Sequence, residues 1–274
     1  NAMNFVFREC NYMQALEGDI DTSHVGFLHG EIVDPNAQSG TFNSFMQDKA
    51  PRYQVTDTDT GTMYGAYRPA DDEHTYWRIA NFMLPFYTST PTGVLGVDIR
   101  FKAWVPVDDD HTLLLQVSSG ERARAATPGA FPATFPNTSG WYGRYRAEQN
   151  ATNDYQIDRL AQRTTSYSGV KGIVMQDQMI TESMGPIYTR DREHLGTSDM
   201  MIIRTRRRLI SAAKALRDHG TVPPAVDNPA LYALRTGGVV LPKDANWIEA
   251  TAHLRAGFVE HPELNRSAMM GSFV

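Results

Sequence analysis

Apolar and polar side chains alternate in short segments between about residues 41 and 118. Alternation with a period of two is typical of strands that bury one face. Residues 52–55 and 62–67 follow this pattern on either side of Asp59-Thr60-Gly61, which favours a hairpin turn. Further alternating segments occupy residues 76–84, 98–105 and 112–117. Together these segments predict an antiparallel sheet with one buried face.

A helical period replaces the alternation between about Ser198 and His219. One stripe of this segment carries Met201, Thr205, Leu209, Ala212 and Leu216. Ser198 or Asp199 can cap the start of the helix, and Gly220 can end it. At 1.5 Å per residue the helix is about 30 Å long, which is enough to pack across a whole sheet. A sheet followed by one long helix predicts the α+β class.

The ends of the chain differ in character from its middle. Asn1-Ala2, before Met3, resembles the remnant of a cleaved tag, so residues 1–2 are set apart from the fold. Pro223-Pro224 follows the long helix and ends its pattern. We expect residues 3–220 to form one catalytic domain and residues 221–274 to be an extension that wraps the same domain.

Composition and charge exclude several classes of protein. The chain has 274 residues, of which 41% are hydrophobic and 21% charged, so it can bury a core and is not disordered. Its net charge of -5 disfavours a general attraction to nucleic acid. The basic run 204–208 begins a helical pattern and is interpreted as a solvated helix face. Apolar runs such as 200–203 are far too short to cross a membrane.

Cys10 is the single cysteine of the sequence. This count excludes an internal disulfide, a cysteine-rich zinc site and an iron–sulfur cluster held by this chain alone. The first ten residues include Arg8 and Glu9 and lack the apolar core of a signal peptide. We therefore expect a cytoplasmic protein.

The most informative stretch of the sequence contains Asp21, His24 and His29. Residues five apart on an ideal helix point about 140° away from each other, so both imidazoles can reach one ion only if the helix ends or distorts between them. Gly26 allows such a distortion. The alternative is a polar helix end with two surface histidines. Against it, the neighbouring Val25, Phe27 and Leu28 are apolar and favour burial, and a buried imidazole needs a partner.

Two histidines and a carboxylate on one side of an ion form the facial arrangement of non-haem iron(II) oxygenases. Zinc is the rival metal. The two-histidine signature of zinc hydrolases, however, places the histidines four residues apart with a glutamate between them, and this segment lacks that pattern.

The motif Asp21-x-x-His24-x-x-x-x-His29 resembles the catalytic domain of Rieske non-haem iron ring-hydroxylating oxygenase α subunits. It is most similar to the phthalate-4,5-dioxygenase-like branch, which includes aromatic O-demethylases. Residues 153–159 and 176–187 also resemble that branch. The resemblance implies a helix-grip fold, with a curved antiparallel sheet packed on a long C-terminal helix.

The resemblance also implies roles for individual residues. His24 and His29 are the implied iron ligands, and Asp177 is the implied third ligand. Asp21 is the implied carboxylate that orients His24 and connects it to the electron donor. Its alternative role is the cap of a helix, and both roles are compatible. The competing third ligands are Asp154, Asp158 and Glu182.

The implied reaction is O2-dependent cis-dihydroxylation or O-demethylation of an aromatic acid at a mononuclear Fe(II). The chain lacks the Cys-x-His ligand pairs of a Rieske domain, so we expect an external Rieske [2Fe–2S] cluster and a reductase to supply the electrons. The family also implies a homotrimer. Two alternatives stay open, namely a helix-grip carrier of an apolar or aromatic ligand with a vestigial metal site, and a zinc-dependent hydrolase.

Overall fold

A computed structural model of the chain describes residues 2–30, 48–91, 93–119 and 131–257. Within this part of the chain the strands are β1 (Ala2–Arg8), β2 (Arg52–Asp57), β3 (Gly61–Pro69), β4 (His74–Met83), β5 (Tyr87–Ser89), β6 (Ile99–Pro106), β7 (Thr112–Ser119) and β8 (Gly237–Pro242). The α-helices are α1 (Tyr12–Ile20), α2 (Val25–Leu28), α3 (Arg159–Thr164), α4 (Ile173–Ser183), α5 (Met200–His219), α6 (Trp247–Ala250) and α7 (Ala252–Arg255). Short 3₁₀ turns lie at Ala151–Gln156, Arg190–Arg192, Thr197–Asp199, Pro224–Val226 and Pro229–Tyr232.

The described residues divide into two compact units, and each unit combines separate stretches of the chain. The first unit comprises residues 2–19, 24–30, 102–119 and 131–193. The second unit comprises residues 20–23, 48–91, 93–101 and 194–257.

Strand β1 is the feature of the first unit that the sequence pattern did not predict. It pairs antiparallel with β7 along its whole length, from Ala2 opposite Ser118 to Arg8 opposite Thr112. The strand order in this unit is β1-β7-β6. Helix α4 packs its own apolar residues into a cluster formed by Ala147, Tyr155, Val170, Met175 and Met179.

The sheet of the second unit follows the predicted hairpin closely. Strands β2 and β3 pair antiparallel around the turn at Thr58 and Gly61, and β3 pairs antiparallel with β4. The order continues from β2-β3-β4 to β5 and then to the first residues of β6, while β8 also pairs with β4. Helix α5 packs against β3 and β2 of this sheet.

Helix α5 begins and ends close to the predicted residues. Gly220 ends it in the left-handed region at φ 66°, where glycine carries no steric penalty, and its N–H bonds to the carbonyls of the last turn. Of the predicted stripe, Met201 and Thr205 are buried, whereas Leu216 is exposed. The apolar stripe is therefore covered at the start of the helix and open near its end.

Strand β8 was not predicted, because its sequence opens with Gly237-Gly238 and shows no alternation. The structure gives the reason for Gly238: a Cβ there would come within 2.6 Å of the Tyr76 hydroxyl. Beside it, Trp247 stacks on Trp77 with ring centroids 5.4 Å apart. Both rings belong to a buried cluster with Met63, Ile79, Leu95, Val239, Leu241 and Leu254.

These observations confirm the predicted α+β, helix-grip class, in which an antiparallel sheet packs on a long helix. The proposed division into residues 3–220 and 221–274 stays a prediction. Residue 1 of the expected tag remnant and residues 258–274 of the expected extension lie outside the described residues. Among the described residues, every helix is too short or too polar to span a membrane.

Candidate metal centre

The two histidines of the predicted motif flank the four-residue helix α2 in the first unit. His24 precedes the helix with φ -60° and ψ -28°, and His29 follows it with φ -104° and ψ 12°. The helix runs through Gly26 and ends at Leu28, so the required break lies next to His29 and not at the glycine. As a result, the two rings meet with centroids 5.2 Å apart at an interplanar angle of 79°.

Helix α4 brings the carboxylate of Asp177 to both rings. Its Oδ1 lies 3.0 Å from His29 Nε2 and 3.5 Å from His24 Nε2. One potential ligand atom from each of the three residues lies within 4.8 Å of the other two. Among the described residues, this is the one group of three or more histidine, cysteine or acidic side chains with that geometry.

Burial and charge act in opposite directions on Asp177. Burial disfavours its ionised form and raises its pKa, but hydrogen bonds from both imidazoles and their charge outweigh burial. The pKa of the Asp177 carboxyl is consequently held well below its usual range. The site therefore presents an ionised carboxylate oxygen at neutral pH.

The competing third ligands are occupied in other ways. Asp154 forms an ion pair with Arg159 at 2.5 Å, and Asp158 caps α3 by accepting bonds from the first backbone N–H groups of that helix. Glu182 is buried, where it accepts bonds from the Glu9 backbone N–H and the Tyr155 hydroxyl. Of the four candidate carboxylates, the structure brings Asp177 to the histidines.

Asp21 lies in the second unit, where it forms a local turn. Its Oδ1 accepts a 2.7 Å bond from the Ser23 backbone N–H, which closes this turn before α2 begins. The N-cap position of α2 is occupied by His24, so Asp21 does not have the helix-capping role considered for it. The Tyr53 hydroxyl donates to the same oxygen at 3.4 Å. Burial raises the pKa of Tyr53 to about 12 and the charge of Asp21 adds to that rise, so the phenol stays a donor.

Gln176 contacts the site but received no role from the sequence. Its Oε1 lies 2.6 Å from His29 Nδ1, and its Nε2 donates to the Val170 carbonyl at 2.9 Å. Both glutamine contacts are buried. A buried polar side chain beside a predicted ligand is a signal for such a role, but its partner is 147 residues away in the sequence.

The donor set fits a divalent first-row metal ion. Two imidazole nitrogens and one carboxylate oxygen match the facial triad of non-haem iron(II), and bonds of about 2.0–2.2 Å to each are compatible with the observed separations. Cys10 does not belong to this group of ligand atoms, and burial raises the pKa of its thiol to about 12. The fold and these three residues together define a candidate mononuclear metal centre in an α+β domain.

Comparison with known proteins identifies the family. The family model described as LigXa C-terminal domain like matches residues 2–269. The 3-chlorobenzoate-3,4-dioxygenase oxygenase subunit of Comamonas testosteroni is 37% identical over 268 residues, which cover 92% of this chain and 62% of that protein. The phthalate 4,5-dioxygenase oxygenase subunit of Pseudomonas putida is 29% identical over 259 residues, which cover 87% and 56%. The chain therefore belongs to the LigXa C-terminal domain-like family.

The similarity to solved structures is weaker. The crystal structure of dicamba monooxygenase bound to 3,6-dichlorosalicylic acid is 12% identical, with 80% of this chain and 60% of that chain covered and a TM-score of 0.44. The family assignment rests on the sequence matches. These matches confirm the resemblance to oxygenase subunits of ring-hydroxylating enzymes. The chain spans 62% and 56% of the length of the two curated relatives.

Proposed function

We propose that the chain is the mononuclear-iron catalytic domain of a Rieske-type oxygenase, with His24, His29 and Asp177 as the iron ligands. The observation that carries this proposal is the convergence of both Nε2 atoms on one oxygen of Asp177, at 3.0 and 3.5 Å. Membership of the family and the names of the relatives support the choice of iron over zinc.

Each ligand makes a separate contribution to the site. Neutral imidazoles bind the metal through nitrogen lone pairs, and the ionised Asp177 offsets part of its charge. Three protein ligands on one side leave the opposite side open to other molecules. Iron(II) held there would supply the activation of O2. Burial of His29, which is 2% exposed, keeps water away from its side of the site.

Asp21 is proposed to orient His24 and to connect it to the electron donor. Asp21 lies three positions before His24 in the sequence, and Tyr53 and Ser23 fix the orientation of the Asp21 carboxylate. The Ser23 hydroxyl lies 2.7 Å from the Tyr53 hydroxyl, which completes this small network. Such a network holds a carboxylate in one rotamer, as a connecting group requires.

The substrate, the reaction and the partners are proposals from the family. We propose an aromatic acid as substrate, with cis-dihydroxylation or oxidative O-demethylation as the reaction. The curated relatives are named for 3-chlorobenzoate and phthalate, so these two acids are the first compounds to test. An external Rieske [2Fe–2S] protein and a reductase would supply the electrons, and a homotrimer is the expected assembly.

Turnover with a separate Rieske donor tests this proposal. The Fe(II)-loaded chain, a Rieske ferredoxin, its reductase, NADH and O2 are combined with 3-chlorobenzoate or phthalate, and products are identified by mass spectrometry. We expect product from the wild type and none from His24→Ala. Asp21→Asn should keep its iron and lose turnover, because the amide removes the charge of the connecting group.

Two results would contradict the proposal. Binding of the aromatic acid with equal affinity in the presence and absence of iron, without any product, would indicate the carrier alternative. Hydrolytic activity with zinc, in the absence of O2 and reductant, would indicate the hydrolase alternative.

A further inference from the structure

Three buried groups form a continuous chain of hydrogen bonds behind the candidate metal centre. They are the backbone carbonyl of Val170, the side chain of Gln176 and the ring of His29, whose residues are 1%, 0% and 2% exposed. Gln176 Nε2 donates to the Val170 oxygen at 2.9 Å, and Gln176 Oε1 lies 2.6 Å from His29 Nδ1. This series of hydrogen bonds ends at the imidazole of His29, whose other nitrogen faces Asp177.

The Val170 carbonyl sets the orientation of the Gln176 amide. A carbonyl oxygen only accepts hydrogen bonds, so the NH2 group of the amide must face Val170. The amide oxygen then faces His29, and because it too only accepts, His29 Nδ1 must carry the proton. A reversed amide would place two oxygens 2.9 Å apart in a buried site, at the cost of an unsatisfied polar group.

This arrangement leaves Nε2 as the nitrogen of His29 on the metal side, where it faces Asp177 Oδ1 at 3.0 Å. In the metal-free site, Nε2 donates a proton to this carboxylate oxygen, and a metal ion that binds there takes the place of that proton while Nδ1 keeps its own. The hydrogen bonds therefore prepare His29 to bind a cation through Nε2 before that cation arrives.

We infer that Gln176 is a positioning residue of the metal centre, which fixes His29 in its Nδ1-protonated tautomer and so sets the affinity for Fe(II). This inference rests on the proposed function, because it takes His29 as an iron ligand. Partners of this kind also increase the basicity of a ligating imidazole, and their loss typically costs 10- to 100-fold in metal affinity.

Gln178 provides a matched control on the same helix. It is also a buried glutamine of α4, at 2% exposure, but its Nε2 donates to the Phe7 carbonyl and to Glu182 Oε1. Replacing either glutamine by methionine keeps the volume and the helical preference and removes one buried amide. A loss of affinity caused by a general loosening of α4 should appear in both variants.

The experiment is an anaerobic Fe(II) titration of the full chain and its variants by equilibrium dialysis. We expect Gln176→Met to bind Fe(II) about 10- to 100-fold more weakly than the wild type, and Gln178→Met to stay within about twofold. Equal affinities of the two methionine variants would overturn the inference. Absence of Fe(II) binding by the wild type would instead refute the proposed function, so the two failures are distinct.

A second variant covers the case in which Gln176→Met does not fold. Gln176→Glu keeps an acceptor for His29 Nδ1 and gives up the donor to Val170, so Fe(II) affinity should stay within about tenfold of the wild type. An affinity loss as large as that of Gln176→Met would overturn the inference, because Gln176→Glu keeps the hydrogen-bond acceptor for His29 Nδ1.

The tautomer itself has a readout that needs no iron. In ¹⁵N-labelled, metal-free protein, we expect the imidazole nitrogens of His29 to show a protonated Nδ1 in the wild type and in Gln178→Met. Gln176→Met should lose that single state. A wild-type spectrum with an unprotonated Nδ1 would overturn the inference.

Discussion

Two groupings of aspartate and histidine in the first unit make an instructive comparison. One is the candidate metal centre of His24, His29 and Asp177. The other, here called the turn cluster, consists of Asp108, His111 and Tyr142. In the turn cluster, His111 Nδ1 lies 2.8 Å from Asp108 Oδ1, and the Tyr142 hydroxyl donates to Asp108 Oδ2 at 2.6 Å.

The two groupings differ in which histidine nitrogen contacts the aspartate, and in how far apart the two residues lie in the sequence. The turn cluster pairs Asp108 with a histidine three residues later through Nδ1, the nearer nitrogen, in a turn between two strands. The metal centre joins Asp177 to histidines about 150 residues earlier through Nε2, the outer nitrogen. The turn geometry dictates the first contact, whereas only the tertiary fold produces the second.

The comparison also separates a closed grouping from one that can bind a ligand. In the turn cluster, the His111 ring stacks on Tyr142 at 4.3 Å and on Phe7 at 5.5 Å, so aromatic packing and one hydrogen bond occupy the histidine. In the metal centre, the rings of His24 and His29 meet edge to face beside one carboxylate oxygen. Proximity of histidine and aspartate is therefore no evidence of a site until the nitrogen and its other partners are known.

The largest expected effect on Fe(II) binding comes from replacing one histidine of each grouping by alanine. His29→Ala should weaken Fe(II) binding by more than about 100-fold, the upper end of what loss of a ligand's hydrogen-bond partner costs. His111→Ala should leave Fe(II) binding unchanged, because its contacts are structural. Iron per chain after anaerobic reconstitution and desalting measures both. Retention of iron by His29→Ala would remove that histidine from the site.

A second prediction compares Fe(II) binding after the aspartate of each grouping is replaced by asparagine. Asp177→Asn should weaken Fe(II) binding about tenfold or more, because the neutral amide gives up a Coulomb attraction worth well over about 1.4 kcal/mol at this range. Asp108→Asn is the matched control and should bind Fe(II) like the wild type. Titration of both variants compares them directly, and similar affinities would place the third ligand elsewhere.

Glu182 extends the comparison to a buried carboxylate whose hydrogen-bond donors are not histidines. Burial raises its pKa, and it accepts bonds from the Glu9 N–H, from Gln178 and from Tyr155. Glu182→Met should lower the free energy of unfolding by about 2 kcal/mol or more, since these donors lose their acceptor. Urea unfolding measures that loss. Fe(II) affinity should not change, and its disappearance in a folded variant would favour Glu182 as a ligand.

The smallest effect concerns the turn cluster alone. The hydrogen bond from Tyr142, with that from His111, lowers the pKa of Asp108 to about 2. A depressed carboxyl pKa stabilises the fold above the unfolded pKa near 3.9, and this contribution is lost as the pH falls toward 2. Tyr142→Phe should raise the Asp108 pKa in a carboxyl NMR titration, and an unchanged value would refute the Tyr142 contribution.

Local sequence pattern was sufficient to predict much of the fold, whereas the ligand set of the candidate site came from the family resemblance. The β2–β3 hairpin and helix α5 were predictable because turn residues, alternation and a helical stripe lie within short windows. Strand β1 and strand β8 were not, since neither sequence alternates clearly and each depends on a distant partner strand. The family resemblance singled out His24, His29 and Asp177 as a set, and the structure brings them together.

The supporting contacts of the site were not predictable from sequence. The bond between Gln176 and His29 spans 147 residues, and nothing local to α4 shows that Gln176 faces a histidine while Gln178 faces Glu182. In the sequence, the two glutamines are indistinguishable from ordinary residues of a helix. Only the packing of α4 assigns them different partners, and buried polar groups of this kind are defined by their partners.

X-ray absorption spectroscopy of the anaerobically Fe(II)-loaded chain is the sharpest test of His24, His29 and Asp177 as iron ligands. We expect one Fe(II) per chain, bound by imidazole from two histidines, and loss of this iron centre in His29→Ala. Iron bound without imidazole, or no iron at stoichiometric Fe(II), would contradict the assignment of His24, His29 and Asp177 as the metal centre.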